Sequence, residues 1–159
     1  FLDACMQFLK KKGWINFRMR AMIMSFASYN LWQPWQKTSP LLAQLFVDYE
    51  PGIHICQVQM QSGVTGINLP RIYSVIKQSK DQDPDASWIK SQLPQLREAS
   101  ADSIHNAELA ETYKEIICDP KASAKKARET IWSMRANKDF KKLAKDVYLK
   151  HGSRMKRRA

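Results

Sequence analysis

Gly13-Trp14-Ile15-Asn16-Phe17-Arg18-Met19-Arg20 and, further on, Asp48-Tyr49-Glu50-Pro51-Gly52-Ile53-His54 are the stretches whose reading decides the fold of this chain. The first opens a helix. Across residues 18–32 the apolar side chains Met19, Met22, Ile23, Phe26 and Ala27 recur at helical spacing. The second closes the next helix, which Ser39-Pro40 opens as an N-cap followed by a first-turn proline and which runs through Leu41, Leu42, Leu45 and Phe46. Tyr49-Glu50-Pro51-Gly52 ends it, because proline restricts its predecessor and glycine tolerates a sharp turn. Two antiparallel helices with a short linker bring Arg20 within reach of the acidic turn, where arginine and carboxylate can pair bidentately. On composition alone a structural salt bridge is favoured over a ligand clamp.

The rest of the chain also reads as helix and loop, with no strand alternation and no internal repeat. Residues 57–61 suggest a short helical turn, and residues 63–70 a loop. Residues 77–86 are polar, with a turn at Asp83-Pro84-Asp85. Ser87 is placed to cap a short helix over residues 88–93 that Pro94 stops. Helices are expected over residues 107–117 and 123–150, the second broken near Asn137. The fold class is all-α.

At 159 residues with 44% hydrophobic content, 5 Gly and 7 Pro, the chain is neither disordered nor collagen-like. Its apolar stretches fall far short of a bilayer span. Three cysteines, Cys5, Cys56 and Cys118, follow neither metal nor disulfide spacing, which fits a reducing, cytoplasmic compartment. The first residue is Phe, no signal peptide precedes the first helix, and the simplest expectation is a C-terminal piece of a longer protein.

The net charge of +11 is unevenly placed: residues 1–120 hold 12 basic and 12 acidic side chains, residues 121–159 hold 14 and 3. Such a segment suits a polyanion, nucleic acid above all, and equally a solvated helix with a basic tail. Phosphate-binding glycine loops, nucleophile elbows and zinc signatures are missing. His54 and Cys56 stand two apart without further ligands, and three scattered histidines make no triad.

Residues 1–9 followed by Gly13-Trp14-Ile15-Asn16-Phe17-Arg18-Met19-Arg20 resemble the FAD-binding helical region of the DNA photolyase/cryptochrome family, which carries a G-W-x-H-x-x-x-R stretch there. Ser25-Phe26, Leu31 and Trp35 continue the likeness. Arg71-Ile72-Tyr73, Asp83-Pro84, Trp88-Ile89 and Leu93-Pro94-Gln95-Leu96 are similar to the family's R-I-F-N-P, D-P-x-G, Y-I-R and L-P-E-L run. The likeness covers about residues 1–97, and Ala127-Arg128 and Lys150-His151-Gly152-Ser153-Arg154 are similar to endings in bacterial branches. It implies the C-terminal portion of the helical FAD-binding domain in residues 1–120, with a basic helical extension in residues 121–159. The antenna domain and the first part of the pocket are expected in a missing N-terminal part of the same protein.

By that resemblance Arg20 lies beside the flavin and pairs with Asp48, while Glu50 faces the ring edge as an acceptor. His54 stands near flavin N5, where it either tunes the redox state or simply packs. Arg18 and Arg71 match arginines that contact DNA. Phe17, Ala21 and Met60 face the lesion pocket, Met60 where photolyases place a tryptophan. The histidine pair of (6-4) enzymes is absent at Phe17 and Ala21. Trp35 keeps the middle position of the usual electron-transfer chain, but Val58 replaces the tryptophan nearest the flavin, and valine cannot relay an electron. Asn16 replaces the motif histidine and Phe17 an asparagine, which suggests a divergent branch.

The function so implied is a FAD-dependent, light-driven lyase that transfers an electron from reduced flavin to a pyrimidine dimer in damaged DNA, monomeric when full length. A cryptochrome-like blue-light flavoprotein without repair is the alternative. A cofactor-free helical nucleic-acid-binding protein is the third, resting on the basic tail alone.

Overall fold

The computed structural model describes residues 1–65, 69–109, 113 and 116–152. Among these residues the chain is helical, with no strand. No described helix is long and apolar enough to cross a membrane.

Helix α1, Leu2–Lys12, ends on Gly13 in the left-handed region (φ 69°), whose N–H donates to Leu9 O at 2.7 Å. A Cβ at Gly13 would run into Val47 Cγ1, so glycine is demanded twice, by backbone and by space. In return the Val47 N–H donates to Gly13 O at 2.9 Å, tying two turns far apart in sequence. Helix α2, Phe17–Ser25, starts where the Asn16 side chain accepts from Met19 N at 3.0 Å, and Ala21 to Ser25 are all buried. Asn16 thus serves as a helix cap. The helix continues as one wider turn, Phe26–Asn30.

Helix α3 spans Trp35–Ala43, not the residues from Ser39 onward. Ser39-Pro40 does not open it. Pro34 precedes its first turn, Pro40 sits inside it, and Ser39 is buried. It also stops short of Leu45 and Phe46. Pro51-Gly52 likewise starts a helix rather than only ending one: α4 spans Pro51–Gln61, with the Glu50 carboxylate accepting from Ile53 N at 2.6 Å. The expected turn at residues 57–61 is the end of this longer helix.

Helix α5, Val75–Gln82, runs through the stretch read only as polar, with Ser74 accepting from Lys77 N at 3.2 Å. Helix α6, Ser87–Gln92, is capped not by Ser87 but by Asp83, whose carboxylate accepts from Trp88 N at 3.1 Å and Ile89 N at 2.8 Å. Helix α7 is Ala101–Asn106, ending at Ala107 (φ 59°), so the helix expected from residue 107 is not found at residues 107–109, 113 and 116–117; residues 110–112 and 114–115 lie outside the described residues. Helices α8, Pro120–Ala136, and α9, Lys138–His151, meet at Asn137 as expected, because Asn137 turns extended and caps α9 through Asp139 N at 2.8 Å.

Two cores flank α1. One gathers Leu9, Ile15, Met22, Met24, Leu42 and Val58; the other gathers Ala4, Ile89, Leu93, Leu96 and Ile104. Trp88 joins them, with its ring 5.8 Å from both Phe1 and Phe8, edge to face. Helix α8 is docked on the wide turn after α2: Ala124 and Ala127 are buried, and Asn30 Nδ2 donates to Ser123 Oγ at 2.8 Å. Helix α9 buries no residue fully.

Candidate functional site

The turn between α3 and α4 lies against α2, and the two enclose an open cleft of about 130 Å³. Gly13 sets this arrangement. Its carbonyl holds Val47 N, which places Asp48, the next residue, beside α2. Arg20 Nη2 donates to Asp48 Oδ2 at 2.8 Å and Oδ1 at 3.0 Å, so one nitrogen serves both oxygens instead of the two-nitrogen fork. Arg20 Nε donates to Ile15 O at 2.8 Å, and the guanidinium carbon lies 4.1 Å over the centre of the Phe46 ring. The Arg20 hydrogen bond holds the Asp48 carboxyl below the ordinary aspartate range. The pair is open to solvent on one side, with side-chain exposures of 25% and 46%.

His54 comes from the first turns of α4. Its Nε2 lies 3.1 Å from Ser39 O and 3.0 Å from Ser39 Oγ. A carbonyl only accepts, so Nε2 carries the proton, and Nδ1 is the ring nitrogen left for another partner. Phe46 and Tyr49 pack edge-on against the imidazole, at 6.0 and 5.3 Å. Glu50 spends one oxygen on the α4 cap.

Of the residues singled out in the sequence, Phe17, Arg20, Ala21, Asp48, Glu50 and His54 all line this one cleft, as does Val58. Phe17 is exposed at 57% on the cleft lip; Ala21 is buried. Trp35, Met60, Arg18 and Arg71 do not line it. Trp35 packs on the core cluster that contains Val58, and Met60 is half-buried on α4. Arg18 is exposed and donates to Gln78 Oε1 at 3.4 Å; Arg71 lines a separate groove. The terminal Arg154, Lys156, Arg157 and Arg158 lie outside the described residues.

Ser39, Gln57 and Gln61 were missed. Gln57 and Gln61 stand on the His54 face of α4, at helical spacing, which was a readable signal. Their Oε1 atoms are buried without a hydrogen-bond partner among the described residues, and Gln61 is only 3% exposed. Orphaned buried acceptors are costly and call for a donor. Phe17, Met24, Leu42 and Phe46 give the cleft an apolar lining, and an arginine, carboxylates, an imidazole and these acceptors share it, a set of side chains whose chemistry fits a planar ring with polar edges.

A family model described as the FAD binding domain of DNA photolyase matches residues 1–133. The chain belongs to that family. As a photolyase-type FAD-binding domain it is 32% identical over 107 residues to a deoxyribodipyrimidine photo-lyase of Buchnera aphidicola subsp. Baizongia pistaciae, covering 66% of this chain and 22% of that protein. It is 28% identical over 96 residues to a cryptochrome DASH of Gloeobacter violaceus, covering 60% of this chain and 19% of that one. The chain thus spans about a fifth of these relatives (22% and 19%). The crystal structure of an archaeal photolyase from Sulfolobus tokodaii with two FAD molecules has the same fold, with a TM-score of 0.74 at 24% identity over 82% of this chain and 31% of that one. The cofactor of this domain family is FAD, and the cleft residues fit it.

Proposed function

We propose that this chain forms one wall of the flavin pocket of a light-driven DNA repair lyase acting on pyrimidine dimers. The observation that carries the reading is the cleft, which brings Arg20 from α2, Asp48 and Glu50 from the turn before α4, and His54 from α4 to one largely apolar lining. FAD, when bound and reduced, supplies an electron on absorbing light. The chain's own residues position and insulate. Arg20 offers a cation and the second face of its guanidinium, held in place by Asp48 and Ile15 O. Glu50 and the two glutamines offer acceptors. His54, fixed through Ser39, keeps its proton on Nε2 and presents Nδ1 as an acceptor. Met24, Leu42 and Phe46 keep water from the cleft, which strengthens every polar contact within it. Arg18 and Arg71 are exposed and serve DNA phosphates. Phe17 and Ala21 stand where a flipped lesion would enter, and Met60 offers its thioether to the same base.

In this reading residues 1–120 are pocket and residues 121–159 a basic extension, the protein works as a cytoplasmic monomer when full length, and Trp35 takes part in electron supply. A cryptochrome-like blue-light flavoprotein is the second reading, supported by the likeness to a cryptochrome DASH. A binder without cofactor does not stand beside the family membership. The test is the flavin-to-protein ratio of the full-length protein carrying Arg20→Leu, Asp48→Asn or His54→Ala. Loss of flavin in the first two is expected; full retention in all three would overturn the pocket assignment.

A further inference from the structure

The charged side chains of the cleft are held at one end of it. Asp48 and Glu50 belong to the turn before α4, and Arg20 is bonded to Asp48. The far half of α4 brings glutamines instead. His54, Gln57 and Gln61 stand on one face of the helix, and a rise of about 1.5 Å per residue puts Gln61 about 10 Å along the axis from His54.

Gln61 is 3% exposed, and its Oε1 meets no hydrogen-bond donor among the described residues. The Oε1 of half-buried Gln57 is in the same state. Such an acceptor costs stability, and methionine would fill the same length without that cost. Two of them one helical turn apart call for a ligand with two N–H donors. Ala21, Met24 and Val58, which share the lining, are buried and apolar, and an ion brought among them would lose its hydration. The ligand edge is therefore neutral. A carboxamide meets a cyclic imide at two points: its oxygen accepts from the imide N–H, and its own N–H donates to a neighbouring carbonyl. Thymine has such an edge, with N3–H between two carbonyls. A thymine dimer presents that edge twice, side by side, and side chains four residues apart on a helix stand about 5–6 Å apart. The flavin ring carries one imide edge and would leave one glutamine unanswered. An adenine edge pairs with one carboxamide.

We propose that Gln57 and Gln61 read the lesion, one glutamine to the imide edge of each base of a thymine dimer. The proposal rests on the reading that the protein acts on pyrimidine dimers, and it names the two side chains that recognise the bases. Phe17 and Ala21, where the lesion enters in that reading, line the same cleft.

The test is dark binding of oligonucleotides that carry one thymine dimer to the full-length, flavin-loaded protein, read by fluorescence anisotropy. Methylation of N3 on either base removes one imide N–H and should weaken binding to the parent roughly ten- to a hundred-fold, since one buried acceptor is left unpaired. Gln57→Met and Gln61→Met should each weaken binding of the unmodified dimer by a similar factor. Each should also become indifferent to methylation at one of the two bases, a different one in each variant. Urea unfolding of both variants should match or exceed the parent, because an orphaned acceptor has been removed. Equal sensitivity to N3 methylation in the parent and both variants would make the methyl a steric block and overturn the assignment. Flavin loss with unchanged dimer affinity would place the contact on the flavin and overturn it too. So would a variant that unfolds more readily and binds the dimer like the parent, since the glutamine would then serve the fold. If the parent binds the dimer no more tightly than the undamaged strand, the repair reading falls. If it prefers the dimer and ignores N3 methylation, the glutamine assignment falls alone.

Discussion

Arg20 reaches across the molecule to Asp48, with Nη2 2.8 Å from Oδ2, and so joins α2 to the turn that opens α4. Because the pair is partly solvated, its own contribution is modest, about 0.2–1 kcal/mol. The stacking on Phe46 and the bond to Ile15 O add about 1 kcal/mol each. Arg20→Leu should therefore destabilise the full-length protein by about 2 kcal/mol, read by urea denaturation, and release flavin. Arg20→Lys should retain part of both.

The same pair gives a pH dependence of known sign. Asp48 titrates below the ordinary aspartate range because Arg20 donates to its carboxylate. A depressed folded value means that the stabilisation is complete above the unfolded value, about 4, and is lost as pH falls through the folded one. Flavin release on acidification should follow this course in the parent protein. Asp48→Asn should remove that component of the profile; an identical acid limb in the variant would show that another carboxylate controls it.

Gly13→Ala tests how the site is positioned. A left-handed alanine costs about 1–2 kcal/mol, and the clash with Val47 adds to it. The variant should lose about 2–4 kcal/mol in thermal or urea unfolding and bind flavin weakly, although Gly13 itself does not line the cleft. Gly52→Ala, with only the Glu50 carboxylate near the new methyl at 3.2 Å, should be milder.

Val58 is buried, 4% exposed, and lines the cleft, while Trp35 packs on the same core without lining it. Valine has no accessible oxidation, so photoreduction of bound flavin by an external reductant should be slow. Val58→Trp should quicken it, at an overpacking cost of about 1–3 kcal/mol. Transient absorption of both proteins, with Trp35→Phe as a third, separates this route from another one.

The residues that carried the sequence reading are those whose physics is local or paired across a clear gap. The spacing of Met19, Met22 and Ile23 marked α2, and Asn137 marked the break between α8 and α9. Arg20 and Asp48 met as charge and helix geometry suggested. What stayed hidden depended on tertiary choice. Pro40 reads as a helix start, yet α3 begins at Trp35 and carries Pro40 inside it, with Ser39 buried against His54 of the next helix. Pro51-Gly52 reads as a stop, yet Glu50 caps the helix that follows. Asp83 caps α6 from outside it, a contact no spacing of Ser87 reveals. Within the cleft, Gln57 and Gln61 follow His54 along one face of α4, whereas Ser39 enters only through the packing of α3 on α4.

The central claim is that this cleft serves flavin-driven repair of DNA. The most direct measurement is the disappearance of a cyclobutane pyrimidine dimer from an oligonucleotide incubated with the full-length, flavin-loaded protein under blue light. The expected result is loss of the dimer in light, none in the dark, and none with Arg20→Leu. A protein that holds flavin stoichiometrically and leaves the dimer intact under illumination would contradict the repair reading and support the blue-light flavoprotein instead.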